Sequence, residues 1–380
     1  MSRAAFQRHA VMKQTYPAWQ LTSGPGVMLM RASQTIVARY ALASLAGLLG
    51  LAFLGAADVL AADEHRQPVA IQFSFDRPVN ASVAPFILAV TDGLFGSEGL
   101  VVTTDVAGGS PEAIARVAAG ASEFALVDIN ALIRFRDNGA PPVKAVFVLF
   151  NKSPYAIVAR KSRGIHALSD IEGKTLGVAE GDLSLRLWPA VAHQNGIKLA
   201  SVRQNRISAA VREPMLSAGQ VDAVTGFSYL SAVNLRDRGV PADDLAVLRF
   251  NDYGCEAYGF AVIVNPAFAA KRPEAVRGFL RAAIAATNLT IREPGHAVDE
   301  VLTRMEDGAR DLELERLRTV IEDNILTSEV KRNGIGGVDP IRLERSIDQV
   351  GEDFKFVKRP SAADVFDDGF LPPLGGRLIN

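Results

Sequence analysis

Ala118-Ala-Gly120 runs into Phe124-Ala-Leu-Val-Asp128, and about 99 residues later Ser217-Ala-Gly219 runs into Val221-Asp-Ala-Val-Thr225. Each time, small residues and a glycine close a helix and a short β-rich run follows. A second pair keeps nearly the same offset. Gly99 precedes Leu100-Val-Val-Thr-Thr-Asp-Val106, and Gly196 precedes a polar strand candidate near 199–204. The recurrence predicts two similar halves, each alternating strands with helices.

The flanking sequence extends this reading in both directions. Val69-Ala-Ile-Gln-Phe-Ser-Phe75 is a short strand closed by Arg77-Pro78, and the apolar spacing predicts a helix over 85–94. Gly108-Gly-Ser-Pro111 supplies a turn, an N-cap and a proline at the first helical position. Asp128 or Asn130 caps the next helix, and strands follow over 143–150 and 155–159. In the second half Lys174–Ala179 is a strand and Gly181-Asp182 a turn. A helix over 183–193 ends at Asn195-Gly196, and Ser228 starts another. Ala257–Val264 is the last apolar strand. Beyond Pro266 the pattern turns helical, with Val276, Phe279, Leu280, Ala283, Ile284 and Thr287 on one stripe. A final helix is predicted over 340–353, with a Gly/Pro-rich surface tail over 366–380.

Length and charge set the outer bounds. The 380 residues are 48% hydrophobic and 22% charged, enough for about two domains. The lone cysteine, Cys255, excludes an intrachain disulfide framework. Lys+Arg 41 against Asp+Glu 42 leaves no basic surplus for a phosphate backbone, so nucleic acid is not an expected partner. The charge is uneven. Residues 1–61 hold Arg3, Arg8, Lys13, Arg31 and Arg39 against Asp58. They lead into the uncharged run Tyr40–Ala57, then small residues Val59-Leu-Ala61, then polar Asp63-Glu-His-Arg66. Basic, apolar, small-residue and polar is the order of a secretory signal peptide; a membrane anchor is the alternative. Met28 or Met30 is a candidate true start, and the exported chain is expected to begin near residue 62.

Further segments complete the pattern: Asp92-Gly-Leu-Phe95 with Glu98-Gly-Leu100, Gly108-Gly-Ser110, and Leu168-Ser-Asp-Ile-Glu-Gly-Lys-Thr-Leu-Gly-Val178. Val221-Asp-Ala-Val224, Asp252-Tyr-Gly254 with Tyr258, and Pro273-Glu-Ala-Val-Arg-Gly-Phe-Leu280 follow in order. Over roughly residues 68–300 these resemble a periplasmic solute-binding protein of an ABC importer. The nearest branch groups nitrate-, sulfonate- and taurine-binding proteins with binders of the thiamine pyrimidine precursor. The resemblance implies an α/β fold of two lobes (type II-like), each a mainly parallel sheet flanked by helices and joined by a two-crossover hinge. Lobe one is expected over 62–160 plus 257–380, and lobe two over 161–256. Expected partners are a small-molecule solute and a membrane permease with its ATPase. The membrane is reached only through that permease. A periplasmic monomer that closes on its solute is the expectation.

The chemistry points to binding rather than catalysis. Gly173-Lys-Thr175 lacks the earlier glycine of a phosphate loop, since Leu168 stands there. No G-x-S-x-G occurs, and the five histidines are scattered without H-x-x-x-H, so neither a catalytic residue, a cofactor nor a metal site is expected. The pocket should lie between the lobes, where strand ends meet helix N-termini. Its candidates are Phe75, Asn80, Gly109, Ser110, Asp128, Asn130 and Tyr155 from lobe one. Asp182, Phe227 and Tyr229 come from lobe two, and Glu256 and Tyr258 from the return crossover. The acids Asp128, Asp182, Asp252 and Glu256 face one nearby base, Arg77. That balance predicts a planar nitrogen-containing, pyrimidine-like solute, with a sulfonate, taurine or nitrate anion as the alternative. Two other classes remain: a pyrimidine-synthase-like enzyme, whose cysteine-rich motif this chain lacks, and a receptor-coupled sensor.

Overall fold

The strands fall in two runs. β1 Val69–Phe75, β2 Leu100–Val106, β3 Phe124–Asp128 and β4 Lys144–Val148 come first. β5 Tyr155–Arg160, β6 Thr175–Ala179, β7 Arg203–Ile207, β8 Ala223–Phe227, β9 Leu245–Arg249 and β10 Phe260–Val264 follow. They build two five-stranded sheets, in the orders β2-β1-β3-β10-β4 and β7-β6-β8-β5-β9. This computed structural model describes residues 67–379 apart from 140 and 180. The export segment and start methionines predicted within 1–61 lie outside the described residues.

The two orders are one topology used twice. In the first sheet β1 pairs parallel with β2 and β3, while β10 runs antiparallel between β3 and β4. In the second, β6 pairs parallel with β7 and β8, while β5 runs antiparallel between β8 and β9. The parallel core of each half is therefore joined by one strand of opposite direction, and both sheets are mixed. Those two strands are the ones that follow the crossovers, over 149–154 and 250–259. Tyr155–Ala159 reads in sequence as the end of the first half, yet it pairs with β8 and β9 in the second sheet. Pro154 lacks the N–H of a ladder, so pairing restarts after it.

Helices cover the sheet faces because the strands are apolar on both sides: all five residues of β3 and of β10 are buried. Phe279, on the long helix Pro273–Arg292, centres the first lobe's core. Its ring stacks on Phe124 at 4.2 Å and on Phe95 at 4.7 Å, and meets Phe73 edge-on at 5.2 Å. Burying one such ring contributes about 1.5–3 kcal/mol.

The C-terminal helices then reach across to the second lobe on two sides, within the compact unit Arg66–Asn380. Arg310–Val320 packs on Ser228–Asp237. There Arg316 Nη2 donates to Asn234 at 2.6 Å, Arg236 pairs with Glu315, and the fully buried Glu313 accepts from the Ala81 amide at 2.8 Å. Pro340–Asp353 packs on Leu183–Gln194, and Gln349 Nε2 donates to the Gly254 carbonyl at 2.9 Å. The tail returns to the first sheet through a bridge between Phe366 and Ala145.

Candidate functional site

β1 and β8 end facing a common cleft of about 310 Å³ between the two sheets. Asp76, Arg77, Gly109, Ser110 and Phe260 line it from the first lobe. Ala179, Gly181, Asp182, Leu183, Ala209, Arg212, Phe227 and Leu230 line it from the second.

Each lobe presents one aspartate, one arginine and one helix N-terminus. Asp76 directly follows β1 and is buried. It pairs with Arg77 at 2.5 Å and accepts from the Ser110 hydroxyl, at the first residue of the helix Ser110–Ala119. The backbone N–H of Asp128 donates to both Asp76 Oδ2, at 3.3 Å, and Ser110 Oγ, at 3.1 Å. Gly109 turns the chain into that helix at φ 129°, a conformation side chains rarely adopt. Across the cleft, Asp182 caps Leu183–Gln194 by accepting from the Ser184 amide at 2.9 Å. Its other oxygen accepts from Arg212 Nη1 at 3.0 Å and Thr225 Oγ1 at 3.2 Å. Glu213 holds Arg212 from the other side at 3.2 Å. Gly226 makes room for this guanidinium, since a Cβ there would sit 3.1 Å from Arg212 Cζ and 2.6 Å from Ser231 Oγ.

The consequence is electrostatic. Asp182 caps its helix N-terminus directly, and Asp76 stands beside the other, bonded to the Ser110 hydroxyl, so each helix dipole meets a carboxylate of the protein itself. The lining holds two aspartates and two arginines, so its formal charge cancels. Its apolar faces are aromatic. Arg77 sits over Phe260, with its Cζ 3.2 Å from the ring centroid, and Phe227 stands 5.8 Å from Phe260, edge to face.

Of the candidates read from sequence, Gly109, Ser110, Asp182 and Phe227 meet at this cleft. Asp128, Asn130 and Tyr155 form a buried network between the lobes. Tyr155 donates to Asp128 Oδ2, while the Asn130 amide and Nδ2 donate to Asp128 Oδ1 at 2.8 and 2.9 Å. Asn130 Nδ2 also reaches the Tyr258 carbonyl at 2.9 Å. Burial lifts the Asp128 carboxyl to about 6, against the opposite pull of these donors.

The remaining candidates lie elsewhere. Phe75 is buried against Phe73, with centroids 4.9 Å apart. Asn80 caps the short turn Ala81–Val83. Tyr229 is fully buried behind the cleft wall, stacked on Phe227 and beside Phe150. Glu256 pairs with Arg345 at 3.2 Å and Arg342 at 3.5 Å. Tyr258 donates to Glu329 at 2.8 Å beneath the Arg342 guanidinium. Asp252 lines a separate polar hollow with Lys152 and Asp323. Sequence reading missed Asp76, Arg212 and Phe260. Asp76 was findable as the first residue beyond a strand that ends at a cleft. Arg212 was not, because it follows a polar edge strand and a short turn whose packing no local pattern fixes.

Comparison with known proteins places these features in a family. A family model described as NMT1/THI5 like matches residues 80–297, more than half of the chain. The riboflavin-binding protein RibY of Chloroflexus aurantiacus is 28% identical over 62% of this chain and 67% of its own length. A 4-amino-5-hydroxymethyl-2-methylpyrimidine phosphate synthase of Legionella pneumophila is 26% identical over 57% of this chain and 64% of its own. The chain thus spans about two thirds of the curated relatives it matches. Among solved structures, the periplasmic aliphatic sulphonate binding protein SsuA of Escherichia coli superposes with a TM-score of 0.64. That match has 15% identity and covers 78% of this chain and 91% of the other. The fold is that of the periplasmic binding proteins.

Proposed function

From the premise that the chain belongs to the NMT1/THI5-like family, we propose that it is the solute-binding component of an ABC importer, taking a small planar, nitrogen-containing organic solute. The observation that carries the reading is the composition of the cleft. Phe227 offers a partly exposed ring, backed by the buried Phe260 beneath Arg77. The charges cancel in pairs, Asp182 caps one helix N-terminus, and Asp76 sits beside the other through the Ser110 hydroxyl. A free anion therefore finds less unsatisfied positive potential than the bare fold would give it. Relatives named for riboflavin and for a pyrimidine support a ring-shaped solute.

Binding without chemistry is part of the proposal. Among the described lining residues there is no lysine, histidine or cysteine, and the Ser110 hydroxyl is committed to Asp76. Cys255 is buried, and burial pushes its thiol up to about 11, so it is a poor nucleophile. No helix among the described residues is long and apolar enough to cross a membrane. We assign the membrane step to a permease and ATPase and the location to the periplasm. Lobe one then comprises the first sheet with the C-terminal helices, and lobe two the second sheet.

A second reading rests on Arg77 and Arg212. Two guanidinium groups on one cleft suit a sulfonate if either leaves its aspartate on binding. A thermal-shift panel of aminopyrimidines, flavins, taurine, alkanesulfonates and nitrate separates the two, because a ligand of the folded form raises Tm. The proposal expects a response to a planar heterocycle. A response to taurine or nitrate alone refutes the ring-shaped solute, and turnover of a bound compound into a new product refutes binding without catalysis.

A further inference from the structure

On the first lobe the helix Ala84–Thr91 runs from the cleft end of β1 back toward the start of β2, and it packs there against the helix Pro294–Leu302. Asp92 is the C-cap of the first helix. His296 and Glu300 stand one turn apart on the second, so they share a face. His296 Nε2 lies 3.0 and 3.2 Å from the two Asp92 carboxylate oxygens. One donor atom from each of the three residues falls within 4.8 Å of the others. Among the described residues this is the one such convergence of three or more histidine, cysteine or acidic donors.

The surroundings favour a cation. Acids surround His296: Asp92, Glu300, Glu293 and Asp299 all act on it. The neighbouring Asp299 is spoken for, paired with Arg310 at 2.6 and 3.1 Å. Glu300 accepts hydrogen bonds at its backbone carbonyl, from Thr303, and its carboxylate has no hydrogen-bond or ion-pair partner among the described residues. Two donors each about 2.1 Å from a tetrahedral zinc ion lie roughly 3.4 Å apart. The His296–Asp92 spacing is already close to that. Glu300 needs only a side-chain rotation, and its partial exposure leaves it free to make one.

We propose that Asp92, His296 and Glu300 form a binding site for a zinc-type divalent cation, with one imidazole nitrogen, two carboxylate oxygens and water completing the shell. The site belongs to the first lobe alone and lies at the opposite end of the helix Ala84–Thr91 from the cleft. It would join the end of that helix to Pro294–Leu302 without touching the solute. Histidine spacing along the chain hides it, because its donors are 204 residues apart.

The test is calorimetric titration of Zn²⁺ and Co²⁺ into protein carrying no histidine tag. One ion should bind per chain with affinity on the order of micromolar, and His296→Gln, Asp92→Asn and Glu300→Gln should each weaken it by at least about tenfold. His193, exposed on another helix, is the control, and His193→Gln should change nothing. Circular dichroism checks that each variant is folded. The absence of saturable binding by the folded protein, or binding that survives His296→Gln, overturns the proposal. Neither result bears on the solute cleft.

Discussion

Replacing Asp128 with asparagine should flatten the pH dependence of stability. Asp128 is buried between the lobes and accepts from Tyr155 and twice from Asn130. Its carboxyl stands at about 6 instead of the ordinary 3.8, chiefly through burial. An acid raised in the folded state binds its proton more tightly there than in the unfolded chain. The stability this contributes is present below about pH 4 and is lost as the pH rises through about 6. A rise from 3.8 to about 6 is worth about 3 kcal/mol, at about 1.4 kcal/mol per pH unit. Asparagine keeps the acceptor for both Asn130 donors and turns its own amide toward the Tyr155 oxygen. Relative to the unmutated protein, Asp128→Asn should therefore gain about 3 kcal/mol between about pH 4 and pH 7.5. Tyr155→Phe does the reverse at neutral pH. It removes the donor that holds the carboxyl down, costing about 1.5–3 kcal/mol near pH 7.5 and less near pH 5. Urea titrations across this range give both curves. Parallel curves for Asp128→Asn and the unmutated protein would refute the reasoning.

Other outcomes follow from particular contacts. Gly226→Ala puts a methyl group against Arg212 and Ser231; overpacking should cost about 1–3 kcal/mol and weaken solute binding, and unchanged calorimetry on both counts would contradict the seating of Arg212. Arg316→Ala strips Glu313 of its buried partner and should cost about 3–5 kcal/mol. The same change should enlarge the solute-free radius of gyration in solution scattering, because it cuts the contact with Asn234; an unchanged profile argues against a strap across the lobes. Cys255, buried and held near 11, should react with an aromatic disulfide only after unfolding, and rapid native labelling at neutral pH would show the crossover open.

The repeated topology was legible because it is written locally. Ala-Gly helix ends, the turn at Gly109 and the Asp182 cap are short-range signals with fixed physical meanings, and the structure carries each of them, with the helix at that turn starting one residue early at Ser110 and Gly109 as its N-cap. The pairing of β5 was not legible. A five-residue apolar run such as Tyr155–Ala159 fits either sheet, and only the antiparallel register with β8 and β9 decides. The site divides the same way. Asp182 is visible as a cap and is one, whereas Ser110, which the Gly-Gly-Ser-Pro pattern predicts as an N-cap, is the first helical residue and gives its hydroxyl to Asp76. Glu256 and Tyr258 read as cleft residues in sequence because they lie in the return crossover. Arg342, Arg345 and Glu329 of the C-terminal helices draw them to the opposite side. Those helices are distant in sequence, so no local pattern announces the contact.

The central claim is that one solute sits between the lobes, and calorimetry on cleft and non-cleft variants tests it most directly. With the solute found by the thermal-shift panel, Phe227→Ala should lose about 0.5–1.5 kcal/mol of binding through the missing ring contact. Arg212→Ala should lose about 1–3 kcal/mol through the missing donor. Glu256→Gln, bound to Arg345 away from the cleft, should bind as the unmutated protein does. Full affinity in the Phe227 and Arg212 variants, with a loss confined to Glu256→Gln, would place the solute elsewhere and contradict the account.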